Sequence, residues 1–162
     1  MNLFCLDQCP TKAAQLNCDK HVIKMILEVS QLLSTTFNLQ DIEAPYKTSH
    51  VNHPTSKWVR ESYANLQWTI QHGIALWEEK MFRTGKGHKS IEVIQWAKVN
   101  AHRLSFPTQG LTSFAIAISD TMECRKDPTF DIDNPVHCYK LYYKYDKRHL
   151  GKWTNRDIPE WY

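Results

Sequence analysis

Between Thr55 and Arg83, apolar side chains recur at Val59, Tyr63, Leu66, Ile70, Ile74, Trp77 and Met81, in unbroken steps of three and four. That spacing lays all seven along one face of an α-helix of about seven turns. A strand cannot use the pattern, because its side chains alternate with a period of two. The stretch therefore predicts one long helix, the spine of a helical core. Shorter helical patterns flank it. One runs from Asp19, read as the N-cap, to about Phe37. Another takes Ser90 to Leu104 on Ile91, Ile94, Ala97, Ala101 and Leu104. A last helix is introduced by Asn134 as N-cap with Pro135 at its first position, and carries the run from Val136 to Trp153.

The connections read as loops. Pro10 breaks the opening NLFCLDQCPTK, which predicts an extended arm or one turn. DIEAPYKTSHVNHP is a loop because Pro45 and Pro54 disfavour helix at the residues before them, and it delivers His50 and His53 to the helix that follows. RTGKGHKS is a basic break, FPTQGLTSFAIAISDTM predicts one short helix, and ECRKDPTFDIDNP and TNRDIPEWY are irregular. No repeat, low-complexity tract or useful run of alternation is present. The expected architecture is a single all-α domain over residues 1–162.

A chain of 162 residues can bury a core without cross-links. Five cysteines and no apolar leader point to reduced thiols and a cytoplasmic protein. The apolar runs are far shorter than the ~20 residues a membrane span needs. Net charge is only +3, yet basic residues gather at Lys86, His88 and Lys89 and again from Lys140 to Lys152. Six Trp and seven Tyr accompany them. Aromatic rings among cations suit a polyanionic partner with unpaired bases, although any single Trp is more often a core residue.

In CDKHVIKMILEVSQLL the polar side chains His21, Lys24, Glu28 and Gln31 share one helix face, opposite Val22, Ile26, Val29 and Leu33. The plain reading is a wet face with a Lys24–Glu28 pair one turn apart. The sharper one is a surface that holds something polar, with Glu28 the only carboxylate centred on an apolar helix and flanked by cations. There it can stabilise a developing positive charge or move a proton. His50 and His53, with His21 and Glu28, make an alternative metal-dependent hydrolase or nucleotide-modifying site. Cys5, Cys9, Cys18 and His21 are a weaker zinc set, because the spacing lacks the common knuckle. The two glycines near Lys86 lack phosphate-loop spacing, and no serine elbow is present.

The blocks DKHVIKMILEVSQLL and VNHPTSKWVRESYANLQWTIQHGIALWEEKMFRTGK resemble the pyrimidine-dimer DNA glycosylases of the endonuclease V-like type. Asp19, His21 and Glu28 stand at the spacing of that family's Asp-x-His opening and catalytic glutamate. Asn52-His53-Pro54 and Arg83-Thr84-Gly85 are similar to the turn and the break around its second helix. Tyr139-Lys140-Leu141-Tyr142-Tyr143-Lys144 is loosely similar to its DNA-facing aromatic stretch.

The resemblance implies an all-α enzyme, free of cofactor and metal, that cleaves the glycosidic bond of a damaged pyrimidine in DNA and then nicks the abasic strand. The nucleophile it implies is the chain's α-amine. Such an amine titrates near ~8, so a useful fraction is unprotonated at neutral pH. Asn2 is too bulky for efficient removal of the initiator, so the amine is that of Met1. Glu28, Met1 and His21 are the catalytic candidates. Lys20, Lys24, Gln31, His50, Asn52, His53, Arg60, Lys86, Tyr139, Tyr142 and Tyr143 are the candidates for gripping DNA, with the protein acting as a monomer. Gln31 stands where the family has Arg, which leaves room for a modified or unpaired base, or a free nucleotide, as substrate. A noncatalytic nucleic-acid-binding module is the third reading.

Overall fold

Six α-helices, with no strand beyond one isolated bridge, make up the computed structural model, which describes residues 1–162. In chain order they are α1 (Pro10–Leu16), α2 (Asp19–Asn38), α3 (Pro54–Glu61), α4 (Tyr63–Thr84), α5 (Ile91–Asn100) and α6 (Pro135–Tyr145). Short 3-10 helices sit at Ala101–Arg103, Glu123–Lys126 and Arg148–Leu150. No helix is long and apolar enough to cross a membrane. The all-α expectation holds.

α2 is the central element, and its face of Val22, Met25, Ile26, Val29, Leu32, Leu33 and Phe37 is buried. It packs against α3, α4 and α5. The closest approach is at Gly73 of α4, where a Cβ would stand 2.7 Å from Val29 Cγ1 and 2.8 Å from Ile94 Cδ1. Only a hydrogen side chain lets the three helices meet there. α4 ends at Gly85, whose φ of +65° turns the chain out in the left-handed conformation that glycine adopts freely.

The expected long helix is in fact two. Ser62 is fully extended (φ −150°, ψ 159°), its Oγ accepts the Asn65 N–H to cap α4, and its backbone pairs with Thr108. The apolar pattern runs through this break because Val59 before it and Leu66 and Ile70 after it are all buried, although Tyr63 between them is exposed. Three further boundaries differ from expectation. α1, 7 residues long, forms where an extended arm or one turn is expected, with Pro10 in its first turn. α2 begins at Asp19 with Cys18 as N-cap, and the Asp19 carboxylate instead accepts from Thr154 and Arg83. α6 ends at Tyr145, short of Trp153.

No helix forms between Phe106 and Met122. That segment is irregular, because tertiary partners take its backbone groups. Asn65 Oδ1 accepts from Thr112 N, and the Tyr139 hydroxyl donates to Ala115 O and accepts from Ala117 N. Phe114 anchors it against Trp58 and Trp68.

Candidate active site

Residues 1–9 cross the helical core as a pinned strap. Leu3, Phe4, Cys5 and Leu6 are buried, Trp68 Nε1 donates to Gln8 O (2.7 Å), and His72 lies between the carbonyls of Leu3 and Pro10 (3.1 and 3.0 Å). Phe4 has φ +47°, a conformation that costs an aromatic residue of order 1–3 kcal/mol. It is held there by stacking on the His21 ring (centroids 4.1 Å apart, planes 13° apart) and by Tyr142 and Tyr143 around it. The Asn2 side chain knits the turn, since its Oδ1 accepts from Leu3 N and Phe4 N and its Nδ2 donates to Ala117 O.

The strap brings residue 1 to the middle of α2. Asn2 N–H donates to Glu28 Oε2 at 2.6 Å, and the Met1 amine lies 3.8 Å from the same oxygen. Glu28 Oε1 faces the Lys24 ammonium at 3.3 Å. A buried carboxylate is costly unless paired, and here every partner is a donor or a cation. The amine and carboxylate share a cavity of about 510 Å³ with His21, His53, Tyr142 and Lys147, the last with its ammonium 4.8 Å above the Tyr142 ring. Ile116, Ala117, Ile118 and Ser119 also line the cavity.

Burial, reinforced by the positive charges of Lys147, Lys24 and His149, holds the His21 imidazole down to about 4. His53 is also lowered, by burial first and then by the amino terminus and His50. Both rings are therefore neutral at neutral pH. Arranged this way, the cavity offers an amine, a carboxylate counter-charge and two neutral imidazoles to a ligand entering past two lysines.

The cavity gathers Met1, His21, Lys24, Glu28, His53 and Tyr142 from the residues singled out in the sequence. The others lie elsewhere. Tyr139 and Tyr143 are 1% exposed, so they are core residues and cannot face DNA. Arg60 is tied to Ser56 Oγ and Val51 O and braces the loop before α3. Gln31 lines a separate shallow depression with Tyr46 and Lys47. Lys20, His50 and Asn52 are exposed and do not line the cavity. Lys86 is exposed in the turn after α4, away from it. No three His, Cys, Asp or Glu side chains converge in a metal-holding arrangement, so neither the His21/His50/His53/Glu28 set nor the Cys5/Cys9/Cys18/His21 set is assembled.

Sequence reasoning missed Asn2, Phe4 and Ile116–Ser119. The only signal for the first two was the density of apolar residues in the opening arm, and the third carries no motif. Lys147 was visible as one of a basic cluster without a reason to prefer it. No family model matches the chain, and no curated protein or solved structure is significantly similar to it.

Proposed function

We propose that this protein is a DNA N-glycosylase with strand-nicking activity, acting on a damaged or modified pyrimidine through the Met1 amine and Glu28. The observation that carries the reading is the 3.8 Å approach of that amine to a buried carboxylate inside an open cavity. A surface pair would gain little from such a contact, whereas a reaction that passes through a cationic sugar needs an amine and an anion side by side. In that reaction the neutral amine forms a bond to C1′ as the base leaves with the electrons of the glycosidic bond. Loss of an amine proton and opening of the sugar ring then give an imine. Glu28 stabilises the positive charge that develops at C1′. Lys24 and Lys147 at the rim suit the flanking phosphates. The cavity volume falls in the range of sites that take one small ligand, which suits a nucleotide turned out of the duplex. The resemblance of the Asp19–Glu28 block to the pyrimidine-dimer glycosylases supports the same assignment.

The test is borohydride trapping in EDTA on ultraviolet-irradiated, uracil-containing and abasic duplexes. A covalent protein–DNA band is expected on at least one substrate, lost after acetylation of the amino terminus. Glu28→Gln should slow turnover by about 10²-fold while leaving DNA affinity similar, because it removes charge stabilisation and no phosphate contact. Absence of a band on every substrate would overturn the reading.

A further inference from the structure

The two histidines of the cavity are held in opposite tautomers by their hydrogen bonds. Asn17 Nδ2 donates to Ala13 O (2.8 Å), which fixes Asn17 Oδ1 as an acceptor, and the Tyr143 hydroxyl donates to that oxygen (2.8 Å). A phenol has one proton. Toward His21 Nδ1 Tyr143 can therefore only accept. The ring proton of His21 is therefore on Nδ1, where Tyr143 accepts its hydrogen bond, which leaves the lone pair on Nε2 of this cavity-lining ring. His53 is the reverse. Its Nδ1 accepts the Thr55 N–H as the cap of α3 (3.3 Å), so its proton sits on Nε2. Glu28, the other acceptor in the cavity, is already engaged at both oxygens by Asn2 N–H, the Met1 amine and Lys24.

We infer that His21 is the base of strand scission, that Tyr143 and Asn17 are positioning residues that keep its lone pair toward the sugar, and that His53 donates to the departing phosphate. The inference rests on the imine chemistry proposed above. From the protonated imine, Nε2 of His21 takes a C2′ proton, and the C–H pair becomes the C1′=C2′ bond of an enamine. The nitrogen pair then pushes back. C2′=C3′ forms, the C3′–O bond breaks, and the phosphate leaves with that pair, hydrogen-bonded by His53 Nε2–H. The proton removed stays on His21. A weak base suffices, because a hydrogen next to a protonated imine is acidic.

The groups that face His21 agree with a ring that is neutral at rest. Lys24 approaches from α2 and Lys147 and His149 from the stretch after α6, all disfavouring a resting imidazolium. Tyr143 of α6 keeps its proton, because burial raises its pKa well above the usual phenol range. The apolar ring of Phe4 covers one face.

The decisive experiment is a single-turnover reaction on an abasic duplex, with borohydride-trapped adduct and nicked strand measured together from about pH 3.5 to 8. In the unmodified protein the nicked-to-trapped ratio should fall as pH drops through about 4, where His21 gains its proton. His21→Gln should still give adduct, with that ratio down about a hundredfold and the acid limb gone. Tyr143→Phe, which keeps the ring volume, should lower the plateau about tenfold with the limb retained. A merely structural role would depress adduct and nick alike and leave the limb in place. Unchanged ratios in both variants, or loss of the ratio in Glu28→Gln alone, would overturn the assignment of the base. No adduct in the unmodified protein is a different result, which removes the amine chemistry and this inference with it.

Discussion

His72 sits wholly inside the protein with an oxygen acceptor at each ring nitrogen, Leu3 O on one side and Pro10 O on the other. A neutral ring can donate to only one of them. Burial nevertheless outweighs the two carbonyls and holds the imidazole down to about 4, as it does for His21. An unfolded histidine titrates near ~6.5, so between these values the unfolded chain binds more protons than the folded one. The stability tied to each ring is complete above ~6.5 and is lost as pH falls toward 4, at about 1.4 kcal/mol per pH unit. His72→Gln should remove that share of the slope in urea denaturation followed across this range. A slope unchanged by the substitution would mean that the folded ring is doubly protonated and bonded to both carbonyls. His21 and Glu28 were legible as residues, because a seven-residue interval on an amphipathic helix puts them on one face. Lys24 as the partner of Glu28 was legible too, one turn away, but Asn2 and Phe4 were not, since they act through a turn that is held by the stacking of Phe4 on His21.

At the scale of elements, the crossing at Gly73 makes the sharpest demand on sequence. Val29 and Ile94 would both have to yield to a methyl at that point, and both are fully buried among other core side chains. Gly73→Ala should therefore destabilise by about 1–3 kcal/mol despite alanine's better helix propensity, read as a lower denaturant midpoint with an unchanged slope. A neutral result would show that α5 can shift away from α4. Helix existence was readable throughout α2, α4, α5 and α6, because burial on one side imposes the three-and-four spacing. The break at Ser62 was not, because Val59 and Leu66 point into the same core on either side of it and periodicity records burial rather than continuity. The helix expected between Phe106 and Met122 failed for a related reason. Asn65 and Tyr139, remote in sequence, supply the hydrogen bonds that a helix would have supplied itself.

For the whole molecule, modest net charge conceals an uneven placement. Lys24 and Lys147, from distant parts of the chain, stand at the mouth of one cavity. If Lys147 contacts a phosphate, Lys147→Ala should weaken binding to any duplex and reduce the slope of log K against log salt by about one. A slope that stays the same would place Lys147 off the DNA path. The aromatic richness of the sequence turns out to serve mainly the interior. Trp58, Tyr139 and Tyr143 are almost wholly buried, and the tail returns Trp153 to donate to Leu16 O while Arg156 joins Arg83 on the buried Glu79 carboxylate.

That return of the tail orders events during synthesis. α2 and α4 can pair as soon as both have been made, but Asp19 N waits for Lys152 O, and the Asp19 carboxylate waits for Thr154. The histidine and tyrosine that meet beside the amine are likewise separated by 122 residues of the chain. A ribosome-bound precursor thus carries a stable helical pair and an open, unlatched strap. The cavity is complete only when the segment after α6 has packed against the first residues of the chain.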